Sequence, residues 1–259
     1  MQAATLPVTA GWSWIQGGLY IFKRQPMPLF FWSLVMGFLI TASYLIPLFG
    51  QMALIGLTPM LTFVTLSACR HISAGRPMLL TTWLEPLRDR DRRRRLLRLG
   101  LAYLFACMAG GFLATLPFLP QMLDVVDANS QLDEAMVMAV MRGPFLAFSA
   151  IYILISALFW HAPALMGWHG IRLGQALFFS MVACWRNKWP LLLYGLSWAT
   201  IFWGMQMIGV LLTGIGLSPA MAQMLMTPLN LFVAAILYCS FYPAYVSVFG
   251  NDYGTPEQA

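Results

Sequence analysis

The chain has 259 residues, 60% of them hydrophobic and only 9% charged, with a mean hydropathy of +0.72. Soluble domains carry about 25% charged residues, and so few charges could not cover this much apolar surface in water. Soluble classes are excluded, and the composition predicts an all-α, polytopic transmembrane helical bundle forming one integral membrane domain over residues 1–259. The net charge of +6 is concentrated in one stretch: residues 70–98 hold nine Lys/Arg against three acids.

A crossing needs about 20 apolar residues, and six stretches qualify, at roughly 27–48, 51–69, 96–118, 145–168, 190–213 and 226–248. Ahead of the first, Trp12, Ile15, Leu19 and Phe22 recur at helical spacing over residues 9–24 and are followed by Lys23 and Arg24. That pattern predicts a helix lying in the headgroup layer, with Trp12 and Trp14 as interfacial anchors. The first charges come after this apolar stretch, which is not the order of a cleavable signal.

Spans one and two join through an uncharged turn, and Pro59 falls inside span two. In the basic segment, Pro86 suits the first turn of a helix. Asp89 with Arg93, and Asp91 with Arg95, are i,i+4 pairs that would carry this helix into span three. Within span three, Ala102, Ala106, Gly110 and Ala114 form a small-residue strip suited to close helix packing. Residues 120–144 hold four acids (Asp124, Asp127, Asp133, Glu134) and one base, Arg142. Here Ser130 precedes an apolar face of Leu132, Met136, Ala139 and Val140, which predicts a short periplasmic amphipathic helix. Residues 171–185 are apolar but short for a crossing. They read as a second interfacial or re-entrant helix on the cytoplasmic side, closed by the anchors Trp185, Arg186, Asn187 and Lys188.

With six spans and both termini inside, fourteen of the fifteen Lys/Arg fall on the cytoplasmic side and only Arg142 outside. This is the distribution that the positive-inside rule requires. Residues 10–69 and 171–248 also share an order: interfacial helix, basic residues, proline, two spans. Thr58-Pro59-Met60-Leu61-Thr62-Phe63-Val64 echoes Thr227-Pro228-Leu229-Asn230-Leu231-Phe232-Val233. A parallel duplication and chance similarity between apolar helices both fit that echo.

Three blocks carry a family resemblance. They are Gly11-Trp12-Ser13-Trp14-Ile15, then Ala68-Cys69-Arg70 with Arg76-Pro77, and Trp160-x-Ala162-Pro163-x-Leu165 running to Arg186-Asn187-x-x-Pro190. Over nearly its full length the chain resembles a family of six-span proteobacterial inner-membrane proteins. The resemblance implies a place in the inner membrane and a six-helix fold, and carries no activity or functional residue with it.

The candidate site is the arginine run Arg88, Arg90, Arg92, Arg93, Arg94, Arg95 and Arg98. Each arginine at a bilayer centre costs about 2.5–3.5 kcal/mol, so together they hold this loop outside the hydrocarbon. They also attract anionic headgroups, at about 1 kcal/mol per residue near the surface. Nucleic acid is not an expected partner, because no stacking aromatics or folded reading element accompany the charge. His161 is the one ionisable residue inside a span, within Phe159-Trp160-His161-Ala162-Pro163 near the end of span four. There it would serve a function or hydrogen-bond a carbonyl freed by Pro163.

Cys69, His71, His169 and Cys184 fall at similar depth but lack the spacing of a metal or haem site. No disulfide framework, nucleophile elbow, phosphate loop or zinc-protease motif appears. The expectation is therefore a non-enzymatic protein without cofactor, metal or catalytic residues, facing anionic lipid or a membrane-protein partner. The alternative is a small permease-like transporter with its path near His161, Pro163 and the other proline-broken helices.

Overall fold

A chain this apolar has to satisfy its backbone polar groups internally once in a bilayer, and helices do so within each segment. The computed structural model describes residues 3–127 and 134–250, and among them the structure is helical without strands. The α-helices are α1 (Ala10–Arg24), α2 (Pro26–Ser43), α3 (Phe49–Ser73), α4 (Arg90–Thr115) and α5 (Leu119–Asp127). They continue with α6 (Glu134–Phe159), α7 (Ala162–His169), α8 (Leu173–Arg186), α9 (Lys188–Gly214) and α10 (Pro219–Phe249). Six segments are long and apolar enough to cross a membrane: Pro26–Ser43, Phe49–Ser73, Arg90–Leu123, Met136–His169, Lys188–Gly214 and Pro219–Phe249. These are the six expected, and α1 and α8 are the two short helices placed beside them.

Several boundaries differ, each for a local reason. Span one ends at Ser43 rather than near 48, because Pro47 cannot extend the helix and the chain turns through Leu48 at φ +67°. The helix predicted from Pro86 starts at Arg90 instead. Residues Glu85–Leu87 make a single 3-10 turn, and Asp89 caps α4 by accepting from the Asp91 N–H at 3.0 Å. A carboxylate at this position meets both the unpaired amides and the positive end of the helix dipole. With Asp89 curled back as a cap, the expected Asp89–Arg93 pair gives way to an Asp89–Arg92 contact at 3.9 Å.

The separate periplasmic helix expected around residues 132–140 is also revised. From Glu134 the chain runs through Pro144 to Phe159 as one helix, since a proline in an apolar helix need not end it. The short helix on that side is α5, and Ser130 to Asp133 lie outside the described residues.

Helices α3 and α10 form the middle of the bundle. α10 packs on α1, α2, α3 and α9, while α3 packs on α2, α4, α7 and α10; α6 closes on α4 and α8. Two of the glycines that permit close crossings show the geometry. A Cβ on Gly100 would overlap the Gly56 carbonyl oxygen, so α4 lies backbone to backbone on α3; a Cβ on Gly18 would stand 2.7 Å from the Ser240 nitrogen of α10. The predicted small-residue strip is indeed a packing face at its outer end, with Gly110 and Ala114 buried. The echo between residues 10–69 and 171–248 holds in element order but not in packing. α1 crosses onto α9 and α10, whereas α8 sits on α6 and α7.

Candidate functional site at the basic end of the bundle

The cationic residues gather at one end, where short helices and loops are tied down by polar contacts. Arg24 Nη1 donates to the Ser73 carbonyl at 3.1 Å, and Gln25 Nε2 to the Arg76 carbonyl at 2.7 Å. Those bonds join the end of α1 to the end of α3. Asn187, between α8 and α9, accepts from the Leu6 N–H at 2.9 Å and donates to the Ala4 and Ala183 carbonyls at 2.8 and 3.0 Å. Asn187 is 1% exposed. It staples the N-terminal segment to the bundle, so its expected role as an interfacial anchor is corrected.

Trp14 is corrected in the same way. It is 3% exposed, its Nε1 donates to Ser247 Oγ at 2.8 Å, and its ring meets the edge of Tyr194. The buried stripe of α1 runs through Gly11, Trp14, Ile15, Gly18, Ile21 and Phe22, which turns Trp12 outward. Trp12, Trp185 and Trp189 are the exposed indoles at this end. Lys188 Nζ lies 5.1 and 5.7 Å from the ring centres of Trp185 and Trp189, close enough for cation–π attraction. Arg186 is exposed and donates to Thr5 Oγ1 at 3.2 Å.

The arginine run divides by helical face. Taking 100° per residue, Arg90, Arg94 and Arg98 fall within about 40° of one line along α4. Leu101, Phe105, Met108 and Phe112 fall on the same line, and all of these are exposed. The opposite face holds Leu96 and Leu99, both fully buried, and Arg92 lies on that side. Arg92 Nη1 donates to the Pro86 carbonyl at 3.2 Å, and its guanidinium stands 5.9 Å from the Phe63 ring centre. Arg95 is half-buried between the two faces, with Nε donating to the Met166 carbonyl at 3.4 Å. Arg88 and Arg93 are exposed, and Arg93 donates to the Leu87 carbonyl at 3.4 Å.

Beside Arg92 opens a cavity of about 700 Å³, bounded by the end of α3, the 74–89 segment, the start of α4, Trp168 and Tyr242. Arg70, His71, Arg76 and Glu85 line it together with Arg92. The sequence showed Arg70 and Arg76 as charges in a count and as members of a resemblance block, not as neighbours of Arg92. Their spacing around Ser73-Ala74-Gly75, where α3 stops, is what brings them back toward the 85–92 turn.

His161 is buried at the break between α6 and α7, its ring 5.2 Å from Phe249 and 5.9 Å from Tyr245. At this break a hydroxyl from a neighbouring helix takes the place of a backbone partner. Ser180 Oγ accepts from the His161 backbone N–H at 3.0 Å and donates to the Ala157 carbonyl at 2.8 Å. A hydroxyl from α8 is thus inserted between the i and i−4 partners of the helix ladder, a recognised cause of a break.

Pro163, in the first turn of α7, lines a separate cavity of about 200 Å³ with Thr58, Thr62, Tyr103, Tyr152 and Ser156. The Tyr103 and Tyr152 hydroxyls are 2.9 Å apart, and His161 does not line this space. The four residues weighed as metal ligands part company: Cys69 hydrogen-bonds Cys239, and His169 Nε2 is 2.8 Å from the Tyr245 hydroxyl. Cys184 is buried in α8, and burial pushes its thiol up to about 12, with a Ser180 hydrogen bond opposing.

The chain is 32% identical over 273 aligned positions to a "probable inner membrane protein" of Burkholderia thailandensis, covering 99% of this chain and 97% of that one. No family model matches the sequence, and no solved structure matches it.

Proposed function

The chain belongs to the same inner-membrane protein family as its Burkholderia thailandensis relative, and from that premise we propose a non-enzymatic, lipid-facing role for its basic end. The observation that carries the reading is the single stripe of α4. Arg90, Arg94 and Arg98 pass directly into Leu101, Phe105, Met108 and Phe112. A face that meets acyl chains along its length and ends in guanidinium groups presents those groups at headgroup depth. From Arg98 to Leu119 is about 30 Å of helix, the thickness of the hydrocarbon core. The exposed Trp12, Trp185, Trp189 and Lys188 supply the aromatic–basic belt of such a surface.

In this reading the basic end and both termini are cytoplasmic. Reporter fusions after Ser130 and after Arg90 test that orientation, with the first expected periplasmic and the second cytoplasmic; exchanged signals would reverse it. The lipid role is tested by native mass spectrometry of protein extracted from mixed bilayers. Retained phosphatidylglycerol in excess of phosphatidylcholine is expected, and equal retention would remove the role.

A second reading, a small permease-like protein, draws on the open cleft beside Pro59 and Pro163. Hydroxyls from Thr58, Tyr103, Tyr152 and Ser156 line it, within a segment built of proline-interrupted helices. Under this reading a polar solute from a metabolite library raises the unfolding temperature of the parent and not of Tyr103→Phe. A library with no stabilising member would leave the reading without support.

A further inference from the structure

The 700 Å³ cavity at the basic end is a different surface from the outward arginine stripe, and it is built for a ligand rather than for a bilayer face. Three guanidinium groups, those of Arg70, Arg76 and Arg92, line it against one carboxylate, Glu85. Asp89 is the other nearby acid; it is exposed, and its Oδ2 is 3.9 Å from Arg92 Nε, beyond hydrogen-bond length.

Two buried polar atoms belonging to lining residues have no hydrogen-bond partner among the described residues: Arg92 Nε and Ser67 Oγ. Burying such a group without a partner costs about 1–3 kcal/mol. The lining residues thus carry a surplus of cation that an anion with several oxygens would balance.

Two of the three arginines are also braced by their neighbours. Arg70 lies 5.4 Å from the Trp168 ring centre, and Arg92 is braced by the Phe63 ring and the Pro86 carbonyl. The ordered backbone of Arg76 is fixed by Gln25. A guanidinium is a planar fork of donors that matches phosphate oxygens in pairs. A phosphate monoester carries about −1.5 to −2 charge near neutral pH, which balances three arginines less one glutamate.

We propose that this cavity binds one phosphate-bearing anion, gripped by Arg70, Arg76 and Arg92. The phosphate could be that of a water-soluble metabolite or of a lipid headgroup reaching in from the bilayer; the chemistry of the grip is the same. The inference is independent of the lipid-facing stripe, because Arg90, Arg94 and Arg98 do not line the cavity.

The test uses the full chain in phosphatidylcholine nanodiscs, titrated with glycerol 3-phosphate in one arm and dioctanoyl phosphatidic acid in the other. Saturable binding of one equivalent is expected in at least one arm by isothermal titration. Binding in both arms means that the phosphate monoester suffices, and binding of the lipid alone assigns the headgroup. Arg92→Gln and Arg76→Gln should each weaken binding at least tenfold, whereas Arg172→Gln, at the exposed start of α8 and away from the cavity lining, should leave it unchanged.

Arg76→Gln changes an exposed side chain whose carbonyl contact to Gln25 persists, so it tests the grip even if Arg92→Gln fails to fold. No saturable binding in either arm would overturn the proposal. So would affinity unchanged in Arg76→Gln, or an equal loss in Arg172→Gln. That last result would show only general attraction between charges.

Discussion

Arg92 and Arg94 stand two residues apart on the same helix and lead different lives. Arg92 turns toward Phe63 and the Pro86 carbonyl, on the side of buried Leu96 and Leu99, whereas Arg94 points outward above Leu101 and Phe105. The two faces of α4 show that a run of one residue type need not be one functional unit. The inner face works through fixed geometry, where a displaced atom matters. In the lipid-facing role proposed for it, the outer face would work through charge and depth, where position along the bilayer normal matters and detailed contacts do not.

The largest expected break in that comparison comes from the glycines. Gly100→Leu forces a side chain onto the Gly56 carbonyl of α3, while a Cβ on Gly111 meets nothing within 4 Å. Overpacking of this kind costs about 3 kcal/mol, so Gly100→Leu should unfold at much lower temperature in neutral detergent and Gly111→Leu should not. Equal losses would mean that α4 is not packed backbone to backbone on α3 at Gly100.

Ser180→Ala comes next, because it strands both the His161 N–H and the Ala157 carbonyl. A loss of about 2 kcal/mol is expected for buried groups left unpaired, read as earlier thermal unfolding and faster alkylation of Cys184. The wild-type Cys184 thiol, pushed up to about 12 by burial, should resist maleimide at pH 8. Because its folded value lies above the ordinary thiol range, stability linked to this group is intact below about pH 8.5. It falls as pH rises from there toward 12. Rapid labelling of the folded wild type would contradict the buried placement.

A smaller effect separates the arginines themselves. Arg92→Gln removes a packed guanidinium and its hydrogen bond, with an expected loss of about 1 kcal/mol in neutral detergent. Arg94→Gln should change stability by less than about 0.5 kcal/mol, as exposed substitutions generally do. A reversed order would dissolve the distinction between the faces.

Much of this was legible beforehand. Span number and order followed from apolar length alone, because no other structure satisfies such segments in lipid, and the short lengths of α1 and α8 set them apart. The inner and outer faces of α4 were in principle readable from 3.6-residue periodicity, once its start at Asp89 was known. What hid that start was Pro86, which suits a first turn but here belongs to a single turn before the cap.

Trp14 and Asn187 resisted for a different reason. Each sits in a pattern that membrane interfaces and protein cores share, and only the partner decides between them. For Trp14 the clue was Gly11 and Gly18 on its own face, which let α1 lie close on α9 and α10. For Asn187 the partners are Leu6 and Ala4, about 180 positions away, and no local pattern reports such a contact. The cavity was invisible for the same reason, since Arg70 and Arg92 line one space only because the 74–89 segment folds back beside them.

The central claim is that the outer stripe of α4 meets anionic headgroups, and the most direct measurement is thermal unfolding in nanodiscs with and without phosphatidylglycerol. Wild-type protein should be several degrees more stable in the anionic bilayer, and the triple variant Arg90→Gln, Arg94→Gln, Arg98→Gln should lose that gain while matching wild type in phosphatidylcholine. Identical unfolding temperatures for the wild type in the two bilayers, or a gain retained by the triple variant, would contradict it.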